Sequence, residues 1–598
     1  MNEKKTEKLT RDFLNKNGYD QNHIFVEEQI SDNPRIAKLL KQASKQGNGI
    51  GRPEFIITSS AYPDLLIVIE CKASAAKHAS KNLDKYADYA CDGALLYASF
   101  LAKEYDVIAI GISGDNLNNL NISTFLHLKG ENKHFPFSAD KILSLEDYYN
   151  LYIKTPQKFN IDYSNLLDYT QKLNGKLHQL KIKESQRSLL ISSILIALKN
   201  SAFSAGYKKH TTAKHLTSSL VQTVINELDD SDIPKDKIEN LKHAYGFIKT
   251  HSVLLNDKKS LENLIAEIDS EINGFMATHA YFDTIGQFYI EFLRYANNDK
   301  GLGIVLTPPH ITELFADIAQ VNKDSIVIDN CCGTGGFLIS AMKKMVKDCV
   351  GDSEKIKHVK KHQILGVEHQ YDIYALAISN MILQDDGKSS IKLSSCFDEV
   401  ESVSKNKPNV GFLNPPYKAE KEDIEELEYV LNNLQMLEKN SLCIALIPIS
   451  CVLAQEGENL RLKKKIMANH TVEAVMSLPE DLFHNSKVGV ITCALVLTAK
   501  VPHNINKKSW LGYWRNDGFV KVKGKGRIDK NHTWNKIQNH WIETFINRQE
   551  IDGYSLQIKL KPEDEWCAEA YLVTDYSKIT KDDLMQEIKS YLAFDIQG

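Results

Sequence analysis

The sequence contains an Asn-Pro-Pro-Tyr tetrapeptide, Asn414 to Tyr417, whose residue types can activate an unreactive amine. The amines of aromatic bases are poor nucleophiles because the nitrogen lone pair is delocalised into the ring. The side-chain oxygen of Asn414 and the carbonyl of Pro415 can accept both amine hydrogens and draw the nitrogen toward a tetrahedral, nucleophilic form. Pro415 and Pro416 fix the backbone, and Tyr417 offers a flat face for a base swung out of a duplex. Taken alone, the tetrapeptide could equally be a rigid loop.

A glycine-rich turn precedes this tetrapeptide in the chain. It runs from Asn330 to Gly336, after a predicted strand at Ser325–Asp329 and before a predicted helix at Phe337–Val346. In open α/β sheets, ligands bind beyond the carboxyl ends of strands, which is where this turn lies. Glycine allows a ligand to approach the backbone closely, and the turn contains Gly333, Gly335 and Gly336. The alternative is a tight strand–helix turn that binds nothing.

A carboxylate ends the next predicted strand, Ile364–Glu368. In dinucleotide-binding folds, a carboxylate at this position accepts hydrogen bonds from ribose hydroxyls. Glu368 is therefore a candidate ligand for the ribose of a cofactor, and it favours a binding site over an empty turn. A further predicted strand, Val410–Leu413, leads directly into the Asn-Pro-Pro-Tyr tetrapeptide.

Together, the turn and the tetrapeptide resemble the N6-adenine DNA methylase family of restriction systems. Asp329–Leu338 is similar to the family's cofactor motif, although Asn330-Cys331 stands where the family usually has Pro-Ala. The resemblance implies that S-adenosylmethionine is the cofactor. It also implies a set of cofactor contacts from this segment and the following strand end: Asp329, Gly333, Thr334, Gly335, Gly336, Phe337 and Glu368.

Three other segments extend the resemblance over about residues 155 to 500. Leu306–Ile311, Leu-Thr-Pro-Pro-His-Ile, resembles the segment that covers the methionine moiety, which adds Thr307 and Pro308 to the implied contacts. Ser395–Asp398 resembles the strand end whose acid contacts the cofactor's adenine, here Asp398, and Ser477–Phe483 matches a late strand and turn. Protein glutamine methyltransferases also use Asn-Pro-Pro-Tyr, but they are much shorter and lack such flanking regions.

A second group of charged residues lies near the N-terminus. Asp64 precedes an apolar run with the length and branching of a buried strand, and Glu70 and Lys72 follow near its end on one face. Two carboxylates, Asp64 and Glu70, can hold a hard cation such as Mg²⁺, and Lys72 can orient or activate the attacking water. Glu7 on a predicted first helix could add an acid, although a solvated helix face explains it better. The alternative is a strand that ends in charged residues.

This constellation resembles the PD-(D/E)xK nuclease family, with Pro63-Asp64 followed by Glu70-Cys-Lys72. Together with Tyr86–Tyr97, the whole arrangement resembles the bifunctional nuclease and methyltransferase subunit of type IIB restriction–modification enzymes. No Gly-x-x-x-x-Gly-Lys-Ser/Thr loop occurs, which argues against an ATP-driven motor in this chain.

At 598 residues the chain is too long for one core. We predict a multidomain α/β protein with a nuclease-like domain at 1–150, a helical domain at 151–300, a Rossmann-like class I methyltransferase domain at 301–504 and a C-terminal extension at 505–598. The net charge of −4 leaves DNA contact to local basic patches. The scattered cysteines, the absence of an apolar leader and the short apolar runs predict a cytoplasmic protein without membrane spans.

The predicted extension contains all five tryptophans of the chain and a basic stretch, which also resembles a segment near the end of type IIB subunits. Lys521, Lys523, Lys525 and Arg527 could line phosphates on a hairpin, or the hairpin could simply be solvated. Tryptophan side chains are suited to core packing or to a protein interface at least as well as to contacts with bases in a DNA groove. We therefore expect a separate specificity subunit that reads the DNA, and hence a hetero-oligomer, although the tail itself could read a few base pairs.

The resulting hypothesis is a restriction–modification subunit. It methylates adenine N6 in double-stranded DNA with S-adenosylmethionine and cleaves unmodified DNA with Mg²⁺. One alternative is a methyltransferase whose nuclease domain is inactive. Another is a DNA-binding scaffold with inert remnants of both sites, against which the intact acceptors, glycines and carboxylates count.

Overall fold

The computed structural model describes most of the chain and divides it into two compact units, Met1–Asp162 and Tyr163–Gly598. The described residues are 3–41, 43–44, 50–137, 140–153, 155–230, 242–279, 282–295, 305–384, 390–484, 489–522, 526–573, 581 and 585.

The first unit is built on a six-stranded sheet whose strands lie in chain order. Only β3 and β4 run parallel, and the other neighbours are antiparallel. The strands are β1 (Ile24–Glu27), β2 (Phe55–Ser59), β3 (Leu65–Lys72), β4 (Asp106–Ser113), β5 (Asn121–His127) and β6 (His134–Phe137). The helices are α1 (Glu3–Lys16), α2 (Pro34–Leu40), α3 (Ala90–Leu101) and α4 (Leu145–Ile153).

The continuous apolar run of β3 is explained by burial on both faces of this sheet. Leu65, Ile67 and Ile69 pack in one apolar cluster with Leu14 of α1. The alternate residues of β3, Leu66 and Val68, pack in a second cluster with residues of α2 and α3. A strand covered on both faces loses the apolar–polar alternation, so its orientation cannot be determined from the pattern.

Helices make up the region between the first sheet and the second. They are α5 (Pro156–Gln179), α6 (Glu184–Lys199), α7 (Ser201–Gly206), α8 (Ala213–Asp230), α9 (Ser252–Asn256), α10 (Lys258–Ile268), α11 (Gly274–Thr278) and α12 (Thr284–Tyr295). In the described part of the chain, no single helix is both long and apolar enough to cross a membrane; one bent pair, Glu184–Lys199 with Ser201–Lys209, meets the criterion by length and composition only.

The second unit is built on a nine-stranded sheet with the order β17-β14-β12-β13-β11-β10-β7-β8-β9. Its strands are β7 (Val327–Asp329), β8 (Ile364–Glu368), β9 (Ser390–Leu393), β10 (Val410–Leu413), β11 (Leu442–Pro448), β12 (Thr471–Ser477), β13 (Thr492–Thr498), β14 (Ser509–Tyr513) and β17 (Ser555–Ile558). The five strands from β9 to β11 are mutually parallel. The order reverses between β7 and β10, and ligands bind at such a switch point in open α/β sheets.

Helices flank this sheet. Before β12 they are α13 (Pro309–Ile318), α14 (Gly336–Asp348), α15 (Ser353–His358), α16 (Tyr371–Leu383), α17 (Val400–Ser404), α18 (Glu426–Met436), α19 (Ile449–Leu453) and α20 (Gly457–Asn469). After β14 the chain forms a two-stranded hairpin of β15 (Val520–Val522) and β16 (Gly526–Ile528), followed by α21 (Trp534–Ile546).

The predicted boundary at residue 504 does not coincide with the edge of the nine-stranded sheet. Strand β14 pairs with β12, and β17 pairs with β14, so the predicted extension completes the sheet. Trp510, Trp514 and Trp566 are fully buried, and Trp514 stacks on Trp541 with ring centroids 4.8 Å apart. The tryptophans therefore serve packing within this unit.

The basic hairpin forms as predicted, but Arg527 does not line it as a phosphate contact. Arg527 is buried, and it donates hydrogen bonds to both carboxylate oxygens of Asp517 at 2.9 and 2.7 Å. Its guanidinium is therefore held in a buried ion pair and does not face the solvent, where a phosphate would lie. Lys523 and Lys525 lie outside the described residues.

Candidate active sites

The glycine turn lies at the switch point, at the carboxyl end of β7. Gly335 has a left-handed φ of 90° and precedes α14, and Gly333 has a φ of 54°. A Cβ atom at Gly333 would lie 3.2 Å from a methyl carbon of Leu306, so the segment that contains Thr307 and Pro308 runs against the turn. The sequence therefore needs glycine here both for backbone conformation and for close approach.

The carboxylate of Glu368 reaches this turn from the end of β8. Its Oε2 accepts the N–H of Gly333 at 3.0 Å, and its Oε1 accepts the N–H of Gln370 at 2.6 Å. Burial raises the pKa of Glu368, and burial also raises the pKa of Asp329, beneath the turn, to about 8. The structure thus brings Glu368 and the turn together, as the sequence predicted.

Some of the predicted cofactor residues turn their side chains away from the turn's open side. The hydroxyl of Thr334 donates to Oδ2 of Asp283 at 3.0 Å. The ring of Phe337 is buried and stacks on Phe315 and Phe412, with centroids 5.3 and 5.4 Å away. Thr334 and Phe337 can therefore contribute to a bound cofactor only through their backbone atoms.

Asp283, at the start of α12, supports the turn and was not predicted from the sequence. Its carboxylate is buried and accepts the Thr334 hydroxyl, the Nδ2 of Asn380 at 2.5 Å and the N–H of Gly286 at 2.7 Å. Burial raises its pKa. A Cβ atom at Gly286 would lie 2.3 Å from Oδ2 of Asp283, so this position has to be glycine. The Asp-x-x-Gly spacing was the only signal in the sequence.

Asn330, where the family usually has proline, forms a buried amide network. Its Nδ2 donates to Oδ1 of Asn432 at 2.8 Å, and its Oδ1 accepts Nδ2 of Asn433 at 2.9 Å. Asn432 also donates to the carbonyl of Cys396 at 3.2 Å, and Cys396 begins the short 3-10 turn that ends at Asp398. The departure from the family pattern therefore links the glycine turn to α18 and to that 3-10 turn. Asp398 itself is exposed.

Asn414 follows β10, which is the neighbour of β7 across the switch point. Its Nδ2 donates to the carbonyl of Val305 at 2.7 Å and to Oγ1 of Thr307 at 3.1 Å. Its Oδ1 is buried and has no hydrogen-bond partner among the described residues. The amide is therefore held by its nitrogen, while its oxygen remains an unused acceptor.

The remainder of the tetrapeptide adds an aromatic surface. Pro415 is buried and Pro416 is exposed, and the half-buried ring of Tyr417 meets Phe483 edge-on with centroids 6.1 Å apart. Phe483 belongs to the turn after β12 that the sequence had matched to a late turn of the fold. Burial raises the pKa of Tyr417. Beyond it, Oε1 of Glu426 accepts the N–H of Lys418 at 2.8 Å, which fixes the end of the loop.

The first unit brings a different acid to Glu70 than the sequence predicted. Strands β2 and β3 are antiparallel with Phe55 opposite Ile69, so the same register places Glu54 opposite Glu70. Oε2 of Glu54 accepts the N–H of Cys71 at 3.2 Å. The carboxylates of Glu54 and Glu70 thus lie beside each other at one end of this strand pair.

Asp64 lies far from this pair. It is exposed and precedes β3, six residues before Glu70. Because an extended strand rises about 3.3 Å per residue, the two acids are roughly 20 Å apart. The prediction that Asp64 and Glu70 share a cation is therefore wrong, and Glu54 is the nearer acid. The dipeptide Pro53-Glu54 before β2 was the available signal.

Lys72 lies between carboxylates. Its Nζ is 2.8 Å from Oε1 of Glu70 and 3.1 Å from Oε1 of Glu3 on α1. Burial alone would lower the pKa of Lys72, but Glu70, Glu54 and Glu3 raise it, so the group stays an ammonium ion. The predicted pairing of Glu70 and Lys72 is present, and Glu3 is the residue of α1 that pairs with Lys72.

The carboxylate of Glu70 is fully buried against helix α3. A Cβ atom at Gly93 would lie 3.0 Å from Cγ of Glu70, so glycine leaves the room that this side chain needs. Among the described residues, no group of three or more His, Cys, Asp or Glu side chains is arranged to hold a metal ion. A cation here would therefore be bound by two carboxylates and would take its other ligands from water or substrate.

Comparison with known proteins agrees with the geometry of the second unit. A family model described as N-6 DNA Methylase matches residues 280–594. The Type II restriction enzyme and methyltransferase RM.BcgI of Heyndrickxia coagulans is 30% identical over 99% of this chain and 97% of its own length. The Type I restriction enzyme MpnII methylase subunit of Mycoplasma pneumoniae is 28% identical over 52% of this chain and 60% of its own.

This chain belongs to the N-6 DNA methylase family. Among solved structures, a chain from a type I restriction–modification system covers 72% of this chain and 97% of its own length, with a TM-score of 0.51 at 17% identity. At that identity the likeness shows a shared fold alone.

Proposed function

We propose that this chain methylates the N6 amine of adenine in double-stranded DNA and also cleaves DNA that lacks the modification. The observation that carries the first part is the environment of Asn414. Its Nδ2 is held by two acceptors, while its buried Oδ1 has no partner among the described residues. A buried acceptor without a donor costs free energy unless a substrate supplies the donor, and an exocyclic amine does so.

The residues at the switch point fit S-adenosylmethionine, the cofactor that the family implies. Gly333 and Gly335 leave the backbone of the turn open to a ligand, and Glu368 can accept ribose hydroxyls beside it. Thr307 and Pro308 run over the turn and would cover the methionine moiety. When bound, the cofactor supplies the electrophilic methyl group.

The chain's own residues prepare the amine. Oδ1 of Asn414 and the carbonyl of Pro415 accept its two hydrogens, which withdraws the lone pair from the ring and makes it nucleophilic. The hydrogen bonds from Nδ2 to Val305 and Thr307 prevent the amide from rotating. Tyr417 provides an aromatic face for a base that has left the duplex, and the buried Phe483 packs against it edge-on.

The second part of the proposal is Mg²⁺-dependent cleavage by a PD-(D/E)xK-like centre at Glu54, Glu70 and Lys72. Mg²⁺ is commonly bound by one or two carboxylates and completes its shell with water and substrate phosphates. The Glu54 and Glu70 pair fits that donor set. Lys72, an ammonium ion beside both, can orient a water molecule or a phosphate oxygen.

A separate specificity subunit is part of the proposal. Much of the region after residue 505 belongs to the sheet, because it supplies β14, β17 and buried tryptophans. Little of this region is therefore left to contact base edges in a DNA groove. One relative is by name a methylase subunit, which supports a division of labour between chains. A hetero-oligomer acting on DNA in the cytoplasm follows.

The test is incubation of the full-length protein with an unmethylated DNA library and radiolabelled S-adenosylmethionine, with and without Mg²⁺. N6-methyladenine is the expected product, and N4-methylcytosine would overturn the choice of base. If the protein methylates DNA but does not cut it in Mg²⁺, it is a methyltransferase whose first unit is an inactive nuclease. Efficient methylation confined to one sequence by the isolated chain would overturn the separate specificity subunit.

A further inference from the structure

Two buried residues, Asp517 and Arg527, and the largely buried His310 connect the C-terminal hairpin to the segment that holds Asn414. Nε2 of His310 lies 3.2 Å from Oδ2 of Asp517, and Asp517 also accepts two hydrogen bonds from Arg527. His310 is 9% exposed in its side chain, Asp517 1% and Arg527 5%, so water does not compete for these contacts. We call these three residues the His310 clamp.

Aromatic rings enclose the clamp. The ring of His310 stacks on Phe519, with centroids 4.0 Å apart and 19° between the planes, and meets Trp534 edge-on at 4.9 Å. Burial lowers the pKa of His310, and although burial opposes ionisation of Asp517, His310 and Arg527 lower its pKa to about 2. A neutral imidazole therefore donates one N–H to a carboxylate that stays ionised.

The clamp is adjacent to one wall of the methyl-transfer site. His310 is the second residue of α13, three residues after Thr307. Thr307 accepts a hydrogen bond from Nδ2 of Asn414, as does the carbonyl of Val305. Because the short segment from Val305 to Pro308 leads into α13, fixing the start of that helix fixes the two acceptors that orient Asn414.

The clamp also reaches the opposite wall. Nε of Arg527 lies 2.9 Å from Oδ1 of Asp481, in the turn after β12. Two residues further along that turn, Phe483 meets the ring of Tyr417. The same ion-pair network therefore contacts both the segment that holds Asn414 and the turn that packs against Tyr417, the first and last residues of the tetrapeptide.

We infer that His310 and Asp517 are positioning residues for methyl transfer, acting through Thr307 and Asn414. The inference rests on the proposed methyltransferase function and assigns the C-terminal hairpin to the amine-activating site. Since Thr307 and Pro308 also run over the glycine turn, loosening the clamp should slow transfer and should weaken cofactor binding to a smaller extent, because Glu368 and the turn keep their own contact.

The test compares His310→Met with His310→Gln in the full-length protein. Glutamine can place an N–H near the position of Nε2, whereas methionine fills the space without a donor. At saturating cofactor, His310→Met should lower kcat about 10- to 100-fold, because small misplacements of a reacting group cost that much. The Kd for S-adenosylmethionine should rise by a smaller factor than kcat falls, and His310→Gln should keep most of the wild-type kcat.

His470→Met is the matched control. His470 is also buried, and its Nδ1 accepts the N–H of Lys500, but it precedes β12 at the end away from the methyl-transfer site. This variant should lower thermal stability and leave kcat close to wild type. A wild-type kcat in His310→Met, or equal losses in the methionine and glutamine variants, would overturn the inference.

Hydrogen exchange separates failure of the inference from failure of the proposed function. Peptides covering residues 305–318 and 410–417 should exchange faster in His310→Met than in His310→Gln or His470→Met. If the wild-type protein transfers no methyl group to DNA, the proposed function is wrong. Hydrogen exchange then still tests whether the clamp fixes the segments around Thr307 and Asn414. Unchanged exchange in both peptides would overturn the clamp even where methylation is normal.

Discussion

The two candidate centres, around Asn414 and around Glu70, prepare their key oxygen atoms in opposite ways. In the methyl-transfer site, Asn414 is held through its nitrogen, and its buried oxygen has no partner among the described residues. In the first unit, Oε1 of the buried Glu70 is already paired with Lys72. The first arrangement needs a neutral donor from the substrate, and the second needs a cation strong enough to compete with an ammonium ion.

The two centres offset the free-energy cost of burying a polar atom in different ways. A buried amide oxygen without a partner costs a modest free energy, and a substrate amine can remove that cost directly. A buried carboxylate without a counter-charge costs far more, so Lys72 has to be present before any metal arrives. The predictions below test this contrast, from the largest expected effect to the smallest.

Replacing Asn414 should have the largest effect. Asn414→Ala removes the prepared acceptor, and loss of one such preorganised group lowers kcat by about 10²- to 10³-fold. The Kd for S-adenosylmethionine should change far less than kcat, because Asn414 acts on the amine while Glu368 and the glycine turn keep their own contact. Asn414→Asp keeps an acceptor but loses the Nδ2 donor to Val305 and Thr307, so it should also fall well below wild type. Equal labelling of DNA by wild type and Asn414→Ala would contradict this role.

Replacing Glu54 should stop cleavage, while replacing Asp64 should not. Glu54 lies opposite Glu70 across the strand pair, whereas Asp64 lies at the far end of β3. Glu54→Ala or Lys72→Ala should slow cutting by about 100-fold or more, since several kcal/mol of charge stabilisation is lost. Asp64→Ala is the matched control, and it should cut at the wild-type rate in Mg²⁺. All three variants should methylate DNA normally, so a shared loss of methylation would contradict separate centres.

Replacing Glu368 should weaken cofactor binding without altering transfer. Charge-assisted hydrogen bonds contribute about 1.5–3 kcal/mol, so Glu368→Ala should raise the Kd for S-adenosylmethionine by about 10- to 100-fold. At saturating cofactor, kcat should be close to wild type because Asn414 is untouched. Titration calorimetry would measure the Kd, and transfer of radiolabelled methyl groups at saturating cofactor would measure kcat. A fall in kcat with an unchanged Kd would contradict this role, because it would place Glu368 in transfer and not in cofactor binding.

The last prediction concerns the pH dependence of stability and not a reaction rate. Burial raises the pKa of Asp329 in the folded protein to about 8, above the value of about 3.9 for an unfolded chain. Asp329 therefore stabilises the fold fully below about pH 4, and this stabilisation is lost as the pH rises toward 8. Asp329→Asn removes the titration, so its melting temperature relative to wild type should rise between pH 5 and pH 8.5. A constant difference across that range would contradict the buried, protonated state.

Much of the fold could be predicted because the decisive signals are local. The strands at Ile364–Glu368 and Val410–Leu413 have the predicted bounds, and the glycine turn leads into a helix as expected. Short apolar runs bounded by turn residues identify such strands without knowledge of their partners.

What could not be predicted depends on contacts between distant residues. Glu54 was missed because β3 is buried on both faces, so its pattern indicates neither its neighbour nor its register. Asp283 was missed because its contact with Thr334 spans 51 residues. The role of the tryptophans after residue 505 was ambiguous in the sequence, because tryptophan is favoured both in a buried core and at a protein interface.

The position of the His310 clamp along the chain has a consequence for synthesis. Domains generally fold as they emerge from the ribosome, beginning at the N-terminus. The proposed cleavage centre lies within Met1–Asp162, whereas the methyl-transfer site lacks its clamp until Arg527 has been added. Under the proposed function, a prematurely terminated polypeptide would retain the cleavage centre and lack a complete methyl-transfer site.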